Sequence, residues 1–173
     1  MLKDQIAESL EQAFSKYGFA EPSVTQLKVA CGVSLRTLYK HYPSKEEMIV
    51  GALQHRHQRY LKFLSEHSPE AGLGSIQHIF TMLGVWMAEN APNGCMSLNA
   101  LAAFPENELI SSAVTNHKKE VMLFLGGQSL REDLALPLYL LHEGVSSAWP
   151  IIGNDAIQSA QHTILALLSE NKE

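Results

Sequence analysis

The side chains best suited to bind a polyanion are concentrated in the stretch "VSLRTLYKHYPSK", residues 33–45. Arginine can donate two hydrogen bonds to a guanine, and threonine can contact a thymine methyl group or a phosphate. Tyrosine hydroxyls, lysines and backbone N–H groups at helix starts suit phosphate oxygens. The side chains predicted to point outward here are Arg36, Thr37, Tyr39, Lys40 and His41. The stretch therefore has the chemistry of a surface that contacts nucleic acid.

Charge is unevenly distributed along the chain. The net charge is -5, yet residues 1–62 hold nine Lys and Arg against six acidic residues, and the remainder holds four against twelve. Such asymmetry is typical of an N-terminal part that meets a polyanion, although ordinary scatter explains it equally well. Within residues 1–50 six cations face six acids. A helical ligand-binding or interaction protein with weakened DNA binding therefore stays an alternative.

The elements that must position these side chains are helices, because apolar residues recur with helical spacing and no sustained strand alternation is present. The pattern predicts an all-α protein of about nine helices, with three short helices leading into a larger helical body. We expect a DNA-binding domain over residues 1–46 and a second domain over 47–173. The "GGQS" stretch is predicted to end the seventh helix near residue 125, and Pro150 to end the eighth, which starts near residue 130. The ninth is predicted over residues 155–170.

Residues 23–41 have the pattern of a helix-turn-helix. Ser23 and Gln26 predict a capping box, Gly32 supplies the left-handed backbone of a tight turn, and Ser34 caps the next helix. The residues predicted to pack inward are Leu27, Ala30, Val33 and Leu38. Two short helices at a packing corner fit the same pattern, so DNA contact and simple packing are both open.

The stretch "GFAEPSVTQLKVACGVSLRTLYKHYPSKEEM", residues 18–48, resembles the N-terminal domain of the TetR (tetracycline repressor) family of bacterial transcription regulators. The similar features are the aromatic-Gly pair before the second helix, the Gly-Val-Ser turn, the Thr-Leu-Tyr triplet and the aromatic-Pro-Ser-Lys sequence. Beyond about residue 50, only helix number, helix order and the "GC" opening of the sixth helix are similar. The resemblance implies a homodimer, without a cofactor, that binds a palindromic operator, acts as a repressor and is released by a small molecule.

The outward positions and the resemblance together give the residues expected at DNA. They are Ser23, Thr25, Ser34, Arg36, Thr37, Tyr39, Lys40, His41, Ser44 and Lys45. Lys28 and Tyr42 stand where the family usually has alanine and phenylalanine. The Lys28 stem either reaches outward to a phosphate or loosens the helix pair. The tyrosine at position 42 is a mild change if its hydroxyl reaches water or a phosphate.

The resemblance also implies a ligand pocket among the fourth to eighth helices, suited to an apolar or aromatic molecule with a few polar anchors. The candidates are His55, Phe80, Leu83, Trp86, Met87, Met96, Asn99, Phe104, Tyr139, His142 and Glu143. Core packing is an equally simple role for each of them. We expect ligand to shift the long helix over residues 44–65, which begins beside DNA and ends beside the pocket.

The last two predicted helices carry broad apolar stripes, which must bury more than one face. The residues are Leu134, Leu138, Leu141, Val145, Ala148, Trp149, Ile157, Ile164, Leu165 and Leu168. They either fill the core of one subunit or, as the resemblance implies, form a homodimer interface of four helices.

Two cysteines, Cys31 and Cys95, lack disulfide or metal spacing, which indicates a reduced, cytoplasmic protein. Cys95 follows Pro-Asn-Gly at a predicted helix start, where the helix dipole favours a thiolate. We hypothesise a sensor of oxidants or electrophiles there, with a small packed residue as the alternative. A thiol enzyme pairing Cys95 with His117 or His142 has no support from the spacing.

Other classes of function lack their motifs. His55 and His57 lie two residues apart, so they point to different faces of a helix, and no metal is expected. The chain has no Gly-rich phosphate loop, no GxSxG and no HExxH, so we expect no enzyme. No apolar run approaches the roughly 20 residues of a membrane helix, and the N-terminus does not resemble a signal peptide.

Overall fold

The computed structural model describes residues 2–169, which form nine α-helices, one short 3-10 helix and no strand. The all-α prediction is confirmed for these residues. The helices are α1 (Leu2–Tyr17), α2 (Val24–Ala30), α3 (Leu35–His41), α4 (Lys45–Ser65), α5 (Leu73–Asn90), α6 (Met96–Ala103), α7 (Glu108–Ser129), α8 (Ala135–Ile152) and α9 (Asn154–Ser169). The 3-10 helix, Glu132–Leu134, precedes α8. None of the helices within residues 2–169 has the length and hydrophobicity of a membrane span.

The described residues divide into two compact units. Unit 1 comprises residues 2–59 and 96–117, and unit 2 comprises residues 60–95 and 118–169. The first part of α4 and the first part of α7 belong to unit 1, and the last part of each belongs to unit 2. The functional boundary at residue 46 stays a prediction.

The core of unit 1 fixes the angle between α2 and α3. The apolar face of α1, including Leu10 and Phe14, is buried together with Leu27 of α2 and Leu38 of α3. Val33 in the turn is half-buried and packs against this core, as predicted. Ala30 is exposed, so its predicted inward position is wrong: it is the last residue of α2, and its side chain lies on the solvent side of the turn.

The starts and ends of the short helices follow the capping rules. The Ser23 hydroxyl accepts a hydrogen bond from the Gln26 backbone, and the Gln26 side chain accepts from the Ser23 backbone, which confirms the capping box. Gly32 has φ +63°, a conformation that costs a side-chain-bearing residue about 1 kcal/mol or more. The turn between α2 and α3 therefore has the geometry that its sequence predicts.

Unit 2 is built around the contact of α5 with α9. A Cβ atom at Gly84 of α5 would lie 3.0 Å from Ile157 Cγ1 of α9, so only glycine permits this approach without adjustment. Helix α8 packs against both. Their buried apolar residues, among them Ile79, Leu83, Leu138 and Ile164, form one core.

Three predicted helix boundaries in unit 2 are wrong, and the first two lie between α7 and α8. The helix continues through Gly126 and Gly127 to Ser129, and α8 begins at Ala135 instead of near residue 130. A Cβ at Gly126 would lie 2.7 Å from the Ala135 Cβ. The glycine is thus present because the following chain packs closely against α7, and it does not end the helix.

Pro150 does not end α8, which continues to Ile152. Proline has helical φ, and within the last turn it removes only one backbone hydrogen bond. Gly153, with φ +54°, ends the helix instead. Helix α9 begins at Asn154, and its predicted end at Glu170 lies outside the described residues.

Candidate DNA-binding surface and effector site

Helix α3 presents its polar face to solvent. Arg36, Tyr39 and Lys40 are exposed, whereas Leu38 on the opposite face is fully buried. Thr37 and His41 are half-buried at the edges of this face. The helix therefore carries one arginine, one tyrosine and one lysine on a surface that can enter a DNA groove.

Three serines fix the first turns of α2, α3 and α4. The Ser34 hydroxyl accepts a hydrogen bond from the Thr37 backbone N–H at 3.0 Å and shares a second hydrogen bond, 2.8 Å long, with the Thr37 hydroxyl. The Ser44 hydroxyl accepts a hydrogen bond from the Glu47 backbone N–H at 3.1 Å. Such helix starts offer backbone N–H groups and a favourable dipole to a phosphate. Thr25 is exposed one residue into α2.

Lys45 has a partner that its sequence position did not predict. Its ammonium donates to the backbone carbonyl of Ala20 at 2.9 Å, and partial burial lowers the pKa of Lys45. The contact joins the start of α4 to the loop before α2. An ammonium has three N–H donors, so two further donors can face a phosphate.

The Tyr42 hydroxyl lies against α1. It donates to the Lys3 backbone carbonyl at 3.4 Å, and the ring is 5% exposed. Burial, followed by the charge of Asp4, raises the pKa of Tyr42. The reason is that α4 lies close to the ring at Gly51, which turns the hydroxyl toward α1.

The predicted ligand-binding residues are divided between the two units. Four of them belong to unit 1: His55, Met96, Asn99 and Phe104. Asn99 is exposed, and Met96 is buried in the unit 1 core. The other seven belong to unit 2: Phe80, Leu83, Trp86, Met87, Tyr139, His142 and Glu143. Their role in binding a ligand stays a prediction.

The seven residues in unit 2 combine an apolar cluster with a polar edge. Trp86 lies 4.9 Å from the Tyr60 ring and 5.4 Å from Phe63, measured between ring centroids. Phe80 meets His142 edge-on at 6.5 Å. Aromatic rings beside buried polar groups are typical of small-molecule sites.

A chain of polar contacts, which we call the Cys95–Tyr60 network, follows this edge. Lys118 donates to the Cys95 thiol at 3.4 Å and to both Glu143 oxygens at 2.7 and 2.8 Å. His142 Nδ1 lies 3.1 Å from the same carboxylate, and His142 Nε2 is hydrogen-bonded to the Tyr60 hydroxyl. The network runs from the residue before α6 through α7 and α8 to α4.

Protonation within this network follows from burial and charge. Burial lowers the pKa of His142, and hydrogen bonding to Glu143 opposes that effect only in part. The imidazole is therefore neutral near pH 7. Because a carboxylate can only accept, Nδ1 carries the proton, and Nε2 accepts from the Tyr60 hydroxyl. Sequence analysis missed Lys118 and Tyr60, since 23 and 82 residues separate them from their partners in the network.

A second group of charges, the Glu11 cluster, joins α1 to α4 within unit 1. One Glu11 oxygen lies 2.7 Å from His55 Nδ1, and the other lies 3.0 Å from Arg56 and 2.7 Å from Arg59. His55, predicted at the ligand, thus contacts Glu11. Its neighbour His57 stacks on His117 with ring centroids 4.3 Å apart. Within residues 2–169 no three His, Cys, Asp or Glu are arranged to hold a metal ion.

An open groove of about 640 Å³ lies on unit 1, apart from the predicted ligand residues. Its lining residues are Tyr17, Glu21, Pro22, Thr25, Gln26, Val29 and Ala30. They come from the end of α1, the following loop and the exposed side of α2.

Comparison with known proteins agrees with this geometry. Residues 6–52 match the family described as bacterial regulatory proteins, tetR family. No curated protein sequence matches the chain.

Solved structures match over nearly the whole length. SCO4454, a TetR-family transcriptional regulator from Streptomyces coelicolor, is 17% identical with a TM-score of 0.80, over 99% of this chain and 96% of that one. The reduced form of Escherichia coli NemR is 20% identical with a TM-score of 0.80, over 99% and 100%. A TetR transcriptional regulator from Chloroflexus aurantiacus is 14% identical with a TM-score of 0.76, over 98% and 95%.

At these identities the structures establish the fold alone, and the family model matches the N-terminal residues. The matched residues 6–52 contain α2, the glycine turn and α3 with its exposed polar face. Through these residues the chain resembles the tetR family, and over the rest of its length it has the fold of the solved TetR-family regulators.

Proposed function

We propose that the protein is a repressor that binds a palindromic operator as a homodimer and is released by a small molecule bound in unit 2. The observation that carries the proposal is the exposed polar face of α3. Buried Leu38 anchors the opposite face of this helix, and Gly32 forms the turn before it. A bacterial regulator of this kind works in the cytoplasm, where the DNA is.

The roles on α3 and at the helix starts follow from side-chain chemistry. Arg36 is placed to contact base edges, and Tyr39 and Lys40 are placed to contact phosphates. The turns capped by Ser23, Ser34 and Ser44 offer backbone N–H groups to further phosphates. Lys45 adds charge at the start of α4.

The surface that supports a dimer is an exposed apolar stripe on α8. Leu136, Leu140 and Ile151 are 54%, 60% and 86% exposed, and Leu165 of α9 is 41% exposed. Several residues of the predicted stripe, including Leu138, are instead buried within this subunit. A two-fold axis is also the symmetry of a palindromic operator, whose successive major grooves lie about 34 Å apart.

An apolar or aromatic effector suits unit 2, where aromatic side chains surround the buried His142. Tyr60, which hydrogen-bonds to His142, belongs to α4. A ligand that displaces this tyrosine would bias the position of α4, which continues from Tyr60 back to Lys45. By thermodynamic linkage, operator DNA must weaken ligand binding by the same factor by which ligand weakens DNA binding.

Binding to duplex DNA from upstream of the protein's own gene tests the proposal. Specific binding should weaken steeply with salt, and Lys45→Ala should reduce the salt slope. Arg36→Ala should relax base preference at one position by about 1–3 kcal/mol. Lys119→Ala, an exposed lysine of unit 2, is the matched control and should change neither.

The result that would contradict the proposal is equal binding to the upstream duplex and to random duplex. That outcome would favour the interaction protein that the balanced charge of residues 1–50 leaves open. We propose no catalytic role, because Lys118, a cation rather than a general base, donates to the Cys95 thiol.

A further inference from the structure

The start of α1 lies beside the end of α3. Tyr42, the residue that follows α3, donates a hydrogen bond from its hydroxyl to the Lys3 backbone carbonyl at 3.4 Å. The Lys3 ammonium lies over the same ring, 5.5 Å from the ring centroid. One buried tyrosine thus contacts both the backbone and the side chain of Lys3, and it holds the first turn of α1 beside the end of α3.

The Lys3 ammonium can bind an anion from solvent. Lys3 is exposed, whereas the Tyr42 ring beneath its ammonium is buried. A cation at this distance is attracted by the negative face of an aromatic ring, so the contact restricts where the long side chain points. An ammonium has three N–H donors and the ring covers only one side of it, so donors remain for an anion.

The residues that adjoin Tyr42 in sequence are among those predicted to meet phosphates. His41 is the last residue of α3, and the Ser44 hydroxyl caps the first turn of α4. Backbone N–H groups and the helix dipole favour an anion at such a helix start. A DNA backbone that follows the end of α3 therefore meets a positive charge that α1 supplies.

We propose that Lys3 is a further DNA-contacting residue, whose ammonium binds a backbone phosphate at the end of α3, and that Tyr42 is its positioning residue. The inference rests on the proposed function, because it adds a contact to the surface that would bind the operator. The contact contributes affinity and register, since a phosphate carries no sequence information directly. Sequence analysis missed Lys3, because 39 residues separate it from Tyr42.

The acidic neighbours of Lys3 oppose a phosphate and provide a variant with the opposite effect. Asp4 follows Lys3, and burial together with the charge of Asp4 raises the pKa of Tyr42. Glu46 and Glu47 lie in the first turn of α4. These carboxylates act on a phosphate through solvent, where salt screens them, whereas the ammonium can contact it directly. We therefore expect Asp4→Asn to strengthen DNA binding and Lys3→Ala to weaken it.

The first experiment measures the affinity of the full-length protein for the upstream DNA duplex as a function of salt. Lys3→Ala should reduce the slope of log affinity against log salt by about 0.9 for each subunit, because one phosphate contact is lost. The loss of affinity should be roughly eightfold per subunit at about 0.1 M salt and should disappear near 1 M. Lys3→Arg keeps the charge and should keep the slope. Lys119→Ala, an exposed lysine of unit 2, is the matched control and should also keep it.

Two further variants separate a phosphate contact from a purely structural role. Lys3→Met keeps the aliphatic stem and removes the charge, so it should reduce the slope as Lys3→Ala does, without changing the midpoint of urea unfolding. Tyr42→Leu removes the ring and should also reduce the slope, and adding Lys3→Met to it should reduce the slope no further. Tyr42→Phe keeps the ring and should keep the slope.

The second experiment locates the phosphate. Single phosphates within the part of the duplex that the protein protects are replaced, one at a time, by uncharged methylphosphonates. We expect one position in each half-site where the replacement weakens wild type roughly eightfold but weakens Lys3→Ala less than about twofold. Asp4→Asn should retain the wild-type pattern.

The possible outcomes separate this inference from the repressor proposal. An unchanged slope in Lys3→Ala and Lys3→Met, with preference for the upstream duplex retained, would overturn the inference and leave the repressor proposal standing. Loss of affinity without a change of slope would show a structural role and would overturn the inference as well. Equal binding of wild type to upstream and random duplex would overturn the repressor proposal, whereas a reduced slope of Lys3→Ala on random duplex would still support the phosphate contact. Absence of salt-dependent binding to either duplex would overturn both.

Discussion

Glu11 shows how one buried carboxylate joins two helices of unit 1. Its side chain is 5% exposed and lies within 3.0 Å of His55, Arg56 and Arg59, all on α4. Burial by itself would raise the pKa of Glu11, but hydrogen bonds from Arg59 and His55, with the charges of Arg59 and Arg56, outweigh burial and lower it. The ionised carboxylate is thus stabilised in the folded protein.

The first prediction concerns Glu11→Gln, which removes the carboxylate charge that buried Arg56 contacts. We expect the free energy of unfolding at pH 7 to fall by about 3 kcal/mol. Because the folded-state pKa is lowered, this stabilisation is present above the unfolded value of 4.5 and is lost as the pH falls through the folded value. Urea unfolding of both proteins across this range tests it. Glu8→Gln, an exposed position on the same helix, should change stability by less than about 0.5 kcal/mol.

The second prediction concerns the contact of Gly51 with the Tyr42 ring. A Cβ at residue 51 would overlap Cε1 of that ring, so Gly51→Ala should destabilise the protein by about 1–3 kcal/mol. Gly127→Ala, where nothing lies within 4 Å of the added atom, should instead stabilise α7 by about 0.5–1 kcal/mol. Thermal unfolding distinguishes the two, and equal effects would contradict the packing argument.

At the scale of elements, α7 ends by a different mechanism from the one its sequence predicts. The helix passes through two glycines and ends before Leu130, whose φ is +58° and whose side chain is 71% exposed. A left-handed backbone costs a leucine about 1–2 kcal/mol. Because the Leu130 side chain is mostly exposed, its burial contributes little free energy to offset that cost.

The third prediction follows from that conformation. Leu130→Gly should raise the free energy of unfolding by about 1 kcal/mol, because glycine adopts a positive φ without strain. Leu123→Gly is the matched control: this leucine is 68% exposed inside α7, so the change should destabilise the helix by about 1 kcal/mol. A loss of stability in Leu130→Gly, measured by urea unfolding, would show that the side chain contributes more than its exposure indicates.

For the whole molecule, the proposed interface on α8 gives the fourth prediction. Leu140→Glu and Ile151→Glu should each give monomers in sedimentation experiments, because a charge on an apolar interface is costly to bury. Operator affinity should fall more than tenfold, since one α3 contacts only half of a palindrome. Leu123→Glu, an equally exposed leucine on α7, should remain a dimer. A dimer of unchanged stability in both α8 variants would place the interface elsewhere.

The sequence alone determined the features that depend on neighbouring residues. The capping box at Ser23, the cap at Ser34 and the left-handed Gly32 are local geometries, so their residue types predict them. They set the arrangement of α2 and α3, and with it the polar face of α3. These residues also lie within residues 6–52, the part of the chain that matches the family model.

The tertiary structure decided everything that depends on residues distant in sequence. Whether Gly126 ends a helix or admits Ala135 depends on where the later chain packs, and no local rule contains that information. The same is true of Tyr42, whose hydroxyl meets Lys3, and of Lys118, which joins Cys95 to Glu143. Cys95 was singled out from sequence by its position before a helix. The ammonium of Lys118 beside its sulfur became visible only when the fold brought α7 and α8 together, because hydrogen bonds and ion pairs depend on separation in space and not on order along the chain.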